Sequence, residues 1–177
     1  MPFTPMNNPF ISPATPTDIP ALNRLVNSAY RGDNSRKGWT TEADLLDGIR
    51  TTEASLAEQF TNPNATILRY VKDGQLLGCV YLEQKDDVLY LGMLTVSPEL
   101  QAGGLGRQLL EAAEDYARDR HCRAITMTVI SQRTELLAWY ERRGYRRTGI
   151  THPFPDDPER FGTPKQPLAF IELEKEI

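Results

Sequence analysis

The sequence predicts a single α/β (α+β) domain, with helices flanking a mixed, mostly antiparallel central sheet. Three observations predict it. The chain has 177 residues, an ordinary length for one hydrophobic core. Its apolar residues recur at helical spacing near the start, alternate in the middle, and then switch between the two periods to the end. The dipeptide Asp73-Gly74 separates two alternating runs, as a two-residue hairpin turn does.

Taken in order, the first 20 residues hold six prolines. Proline removes backbone donors and fixes φ, so residues 1–9 are expected to form a flexible arm ahead of a domain over 10–177. Thr17-Asp18-Ile19-Pro20 reads as a helix start, with a capping oxygen and proline in the first turn. Leu22, Leu25, Val26, Ala29 and Tyr30 follow at helical spacing, and Gly32 is the expected stop. Thr41 and Asp44 suggest a capping box for a second helix carrying Leu45, Leu46 and Ile49. A short helix around 55–60 must end before Pro63.

Residues 65–71, 76–83 and 88–96 alternate and are expected to form a three-stranded meander. A helix over 104–120 buries Leu105, Leu109, Ala112, Ala113, Tyr116 and Ala117. A strand over 123–130, a helix over 134–143 stopped by Gly144, a strand from about Tyr145 and a last strand over 168–174 complete the order. The connection 151–167 carries five prolines. A connection that long in a compact domain is expected to be functional or mobile.

Composition excludes several classes. Lys and Arg number 20 against 24 Asp and Glu, for a net charge of −4, which argues against nonspecific nucleic-acid binding. No apolar run reaches membrane-spanning length and no secretory leader is evident, so a cytoplasmic protein is expected. Cys79 and Cys122 are too few for a disulfide framework or a four-cysteine metal site, and His121 and His152 add little, so no metal is expected.

The chemistry concentrates between the third strand and the following helix: Leu94-Thr95-Val96-Ser97-Pro98-Glu99-Leu100-Gln101-Ala102-Gly103-Gly104-Leu105-Gly106-Arg107. Glycines allow close backbone approach, and a helix start offers unpaired N–H groups and a positive dipole end. With Arg107 this makes an anion site suited to a pyrophosphate. The Walker loop is excluded because no Gly-Lys-Ser/Thr string exists. The dinucleotide loop is excluded because Leu109 stands at the third glycine position and the next strand ends Val129-Ile130-Ser131 without a carboxylate.

Gln101-x-x-Gly104-x-Gly106 resembles the Arg/Gln-x-x-Gly-x-Gly/Ala signature of the GCN5-related N-acetyltransferase (GNAT) family. Ala138-Trp139-Tyr140-Glu141-Arg142-Arg143-Gly144-Tyr145 resembles that family's second signature. The resemblance implies acetyl-CoA as cosubstrate and a splayed central sheet, for which Gly92 is consistent with the bulge. It places the pyrophosphate on the backbone of Gln101, Ala102, Gly103, Gly104, Leu105, Gly106 and Arg107. It places the pantetheine arm along Leu94, Thr95 and Val96 as an added strand. Tyr140 matches the family's tyrosine facing the cofactor sulfur, the expected general acid. Tyr90 and Gly92 stand where several members carry a base, so Glu83 is the expected base, acting through water. Arg133 replaces a frequent asparagine and is expected to reach a phosphate or an acceptor carboxylate. The family's acceptor side falls on 30–41 and 151–167, and Tyr30, Arg36 and Trp39 are the expected substrate contacts. Cys79, inside a strand, and Cys122, after a charged helix end, have no evident activating neighbour, which favours direct transfer over an acetyl-cysteine. The expectation is therefore N-acetyl transfer to a primary amine of a small molecule or peptide, without nucleic acid or membrane partners and with homodimerisation left open. A non-catalytic acyl-CoA sensor of the same fold is the alternative.

Overall fold

The computed structural model describes residues 8–31, 35, 38, 40–101, 103–157 and 161–177. The expected contacts Arg36, Trp39 and Ala102, the helix stop Gly32 and most of the amino-terminal arm lie outside these residues. The strands are β1 (Ile11–Pro13), β2 (Leu46–Asp47), β3 (Ala65–Lys72), β4 (Gln75–Lys85), β5 (Val88–Val96), β6 (Ala124–Ile130), β7 (Arg146–Pro153), β8 (Thr163–Pro164) and β9 (Ala169–Glu176). The α-helices are α1 (Ile19–Tyr30), α2 (Glu53–Thr61), α3 (Leu105–Asp119) and α4 (Thr134–Glu141).

Seven strands form one sheet in the order β1-β3-β4-β5-β6-β9-β7. Only β5 and β6 run parallel, and every other neighbouring pair is antiparallel. Strand alternation sorts the core into two layers. On one face Leu68, Val80, Leu82, Leu89 and Leu91 meet Leu109, Leu110, Ala113 and Tyr116 of α3 and Leu137 of α4. On the other, Ile67, Cys79 and Tyr81 meet Leu22, Leu25 and Val26 of α1 and Leu56 of α2. The β3–β4 hairpin turns as expected, with Asp73 at φ 52° and Gly74 at φ 73°.

The feature that shapes the site is a bulge in β5. Cys79 pairs with Thr95 and Tyr81 with Gly92, so Met93 and Leu94 together oppose the single residue Val80. The left-handed residue is Met93, at φ 54°, rather than Gly92. Gly92 instead leaves room for the Tyr90 ring, which lies 3.1 Å from where a Cβ would stand. The bulge reverses the alternation: Leu89 and Leu91 face α3, whereas Met93 joins the α1 layer. Beyond Tyr90–Thr126, β5 and β6 no longer pair, while β6 stays paired to β9 through Ile130. The sheet therefore opens at the carboxyl end of β5, leaving Leu91 to Val96 without a strand neighbour on that side.

One expectation is corrected. No helix forms over 41–49. The Thr41 hydroxyl does accept the Ala43 N–H at 3.0 Å, but the chain then turns into β2, which pairs with β8. Long-range pairing prevails because it buries Leu46 to 2% exposure, and the Lys165 N–H and ammonium donate to the carbonyls of Leu45 and Ala43 at 2.8 and 2.9 Å. Of the connection 151–167, β7 takes the stretch to Pro153 and Thr163–Pro164 form β8, which pairs with β2. The short edge strand β1 escapes sequence reading because Pro9 precedes it and Pro13 ends it, and proline suits an edge.

Candidate active site

The β5–α3 connection is built for an anion. Gly104 caps α3 at φ +88°, a conformation that penalises any Cβ, and the space beside it is open to 4 Å. The amides opening α3 have no helical acceptor and point out of the helix start. Gly106, in the first turn, allows close approach of α4: its missing Cβ would touch the Trp139 ring at 3.5 Å and Val96 at 3.7 Å. The Gln101 side chain folds back, donating its amide N–H to the Val96 carbonyl at 3.2 Å, and so ties the turn to the strand end.

A cavity of about 320 Å³ runs from this turn along β5. Leu94, Thr95 and Val96 form one wall, Gly104, Gly106 and Arg107 the mouth, and Trp139, Tyr140 and Arg143 the opposite wall. Sequence reading missed Arg143 and gave Trp139 no role. The Arg143 guanidinium stacks 3.8 Å from the centre of the Trp139 ring and donates to the Trp139 carbonyl at 2.8 Å. Burial lowers its pKa first, and the neighbouring Arg142 and Arg107 cations lower it further. Two cations and a helix amino terminus thus converge on one mouth. The available signal was the spacing Tyr140-x-x-Arg143, which sets the arginine three residues after the tyrosine, in the turn that follows α4.

A second cavity, of about 200 Å³, opens on the far side and shares Tyr30, Leu94, Arg133, Leu136 and Tyr140 with the first. Tyr140 therefore stands where the two meet, at 5% exposure. Its ring makes edge contacts with Trp139 at 5.1 Å and Tyr145 at 5.8 Å, and among the described residues its hydroxyl has no hydrogen-bond partner. Burial pushes this phenol far above its ordinary range, so the resting hydroxyl keeps its proton near neutrality. Tyr30 is anchored: its hydroxyl donates to the Leu94 carbonyl at 2.7 Å, and burial raises its pKa to about 12.

Arg133 lines both cavities but is already engaged. Its guanidinium meets Glu42 at 3.1 Å and the Thr40 hydroxyl at 2.6 Å, while its Nε makes no hydrogen bond and lies 3.9 Å from the Glu135 carboxylate. The other Glu42 oxygen meets Arg31 at 3.1 Å. This buried arginine–glutamate–arginine triad joins the end of α1, the turn before β2 and the start of α4. Sequence reading missed Glu42, because Thr-Thr-Glu-Ala looks like any solvated turn. Glu83 is not brought to the site. It lines neither cavity, and its carboxylate accepts the Tyr81 hydroxyl at 2.6 Å. Gly103 and Leu105 flank the mouth without lining the cavity. Among the described residues no cluster of three His, Cys, Asp or Glu could hold a metal, and no helix is long and apolar enough to cross a membrane.

Residues 22–145 match the acetyltransferase (GNAT) family. A mycothiol acetyltransferase of Cellulomonas flavigena is 28% identical over 155 residues, 80% of this chain but 42% of that protein. An uncharacterized N-acetyltransferase of Bacillus subtilis, YhfO, is 27% identical over 126 residues, 67% of this chain and 83% of its own length. The chain thus spans about two fifths of the mycothiol acetyltransferases it matches. Among solved structures, the ribosomal-protein-S18-alanine N-acetyltransferase of Escherichia coli superposes with TM-score 0.69 at 19% identity, covering 94% of this chain and 92% of that one. The PaiA N-acetyltransferase of Thermoplasma acidophilum, solved in complex with coenzyme A, gives TM-score 0.69 at 16% identity, covering 94% and 98%. At these identities the two structures speak for the fold.

Proposed function

This chain belongs to the acetyltransferase (GNAT) family, and from that premise we propose that it moves the acetyl group of acetyl-coenzyme A directly to a primary amine. The observation that carries the proposal is Tyr140 at the meeting point of two cavities, one with a mouth suited to an anion and one lined by Arg31, Arg50 and Arg133. The cosubstrate supplies an activated thioester. The Gly103 to Arg107 turn and the Arg107 and Arg143 cations suit its diphosphate. The unpaired edge of β5 suits its amide-bearing arm, which can pair as a strand does.

The neutral amine nitrogen attacks the thioester carbon. The C–N bond forms, the C–S bond breaks, and its electron pair leaves on sulfur. The Tyr140 hydroxyl gives its proton to that sulfur, and the phenolate recovers one from the nitrogen, which has become positive. Amine and thioester become amide and thiol with no other reactant. Burial of Tyr140 matches this role, because a phenol so weakly acidic gives up its proton only to a base made beside it. Cys79 and Cys122 are buried, and burial raises both thiols, Cys79 to about 12, so neither is a ready nucleophile. Glu83 lies outside both cavities, and proton removal from the incoming ammonium falls to water.

Calorimetry with acetyl-coenzyme A, followed by thiol release across a panel of primary amines, tests this reading. Binding together with equimolar thiol and N-acetyl product is expected. Binding without thiol from any amine would replace the transferase by a cofactor sensor.

A further inference from the structure

The acceptor cavity has a charge and a shape of its own. Three guanidiniums line it, from Arg31, Arg50 and Arg133, against the single carboxylate of Glu42. Glu42 is consumed by Arg31 and Arg133, one oxygen each. Arg50 is left over. Its guanidinium lies 5.2 Å from the centre of the Tyr30 ring, and among the described residues no carboxylate pairs with it. Its backbone is held independently, its N–H donating to Asn27 Oδ1 at 2.7 Å, so the head group is placed without being neutralised.

Part of the lining is aromatic. Phe154 stacks on Phe170 at 5.4 Å and meets Phe161 edge-on at 6.4 Å. These rings come from 154, 161 and 170, a segment otherwise rich in proline and charge, and they face the cavity rather than either main core layer. The cavity volume of about 200 Å³ suits a molecule of amino-acid scale.

We propose that the acceptor is a small amino acid-like molecule whose carboxylate is held by Arg50 and whose apolar, preferably aromatic, side chain lies against Phe154, Phe161 and Phe170. This rests on the transfer reaction proposed above. A charge-assisted bond to a fixed guanidinium discriminates strongly against the analogue that lacks the anion. The amine then points toward Tyr140, the residue shared with the cofactor cavity.

The test compares L-phenylalanine with 2-phenylethylamine, which differ only by the carboxylate. Thiol release should favour phenylalanine by about tenfold or more in kcat/KM. Arg50→Gln should bring that ratio to within about twofold through a higher KM for phenylalanine, and Arg50→Lys should restore part of it. Calorimetry of N-acetyl-L-phenylalanine and N-acetyl-2-phenylethylamine with coenzyme A present reads the same preference without turnover. Equal binding of the two products, or a wild-type preference that survives Arg50→Gln, overturns the proposal. Loss of thiol release with every amine, while the acetylated acid still binds better, overturns transfer and leaves the recognition standing.

Discussion

Replacing Tyr140 by Phe removes one oxygen from the junction of the two cavities and little else. The ring keeps its edge contacts with Trp139 and Tyr145, 5.1 and 5.8 Å away. The hydroxyl has no hydrogen-bond partner among the described residues, so its loss orphans no buried group, and the stability change should stay within about 0.5 kcal/mol. The chemical step should suffer far more. A thiolate expelled beside a buried ring is poorly solvated, and the effect of burial on a thiol here is visible at Cys79, raised from its ordinary 9.0 to about 12. Without a donor that charge must persist through the transition state. General-acid catalysis of this kind contributes about a hundredfold or more, equivalent to about 2.7 kcal/mol of barrier. Because burial raises the phenol further, wild-type turnover should climb as the amine deprotonates and show no fall attributable to Tyr140 below about pH 10. The assay is steady-state thiol release from about pH 6 to pH 10, with acetyl-coenzyme A affinity measured in parallel. If Tyr140→Phe turns over as fast as wild type with unchanged affinity, Tyr140 is a packing residue and the acid assignment is wrong.

Three further outcomes follow from other parts of the molecule. Gly104→Val puts a branched side chain at φ +88° and into open space beside the α3 start; it should cost about 1–2 kcal/mol of stability in urea melts and raise the acetyl-coenzyme A dissociation constant about tenfold or more, and an unchanged constant would remove the diphosphate from that turn. Glu42→Gln leaves Arg31 and Arg133 buried without their counter-charge, so the melting temperature should drop by about 10 °C; a shift under about 2 °C would mean the triad is dispensable. Cys79, raised from 9.0 to about 12, and Tyr30, raised from 10.0 to about 12, stay protonated in the fold where the unfolded chain would ionise. Their stabilisation is whole below the unfolded values and is lost as pH climbs through about 12, so urea midpoints should fall steadily above about pH 9, and a flat profile between about pH 8 and pH 10.5 would contradict that burial.

Local pattern alone determined most of the cofactor half of this protein. Alternation marked β3, β4 and β5 to within a residue or two, because period two is a property of the strand itself. Asp73-Gly74 and Gly104 marked a hairpin and a helix start, because positive φ is a steric demand on one residue at a time. The surroundings of the second cavity were decided only in three dimensions. Over 41–49 a plausible local cap lost to pairing with β8, and the Lys165–Ala43 hydrogen bond there joins residues 122 apart in sequence. Glu42 becomes a buried counter-charge only because Arg31 and Arg133 arrive from two different helix ends, and Phe154, Phe161 and Phe170 line one cavity with Arg50 only once β9 lies between β6 and β7. Even the Met93 bulge, in a strand read correctly, depends on what β4 and β6 do on either side. Short-range sterics repeat along the chain and leave a readable period, whereas ion pairing and cavity walls depend on which distant segments meet, and no window of neighbouring residues records that.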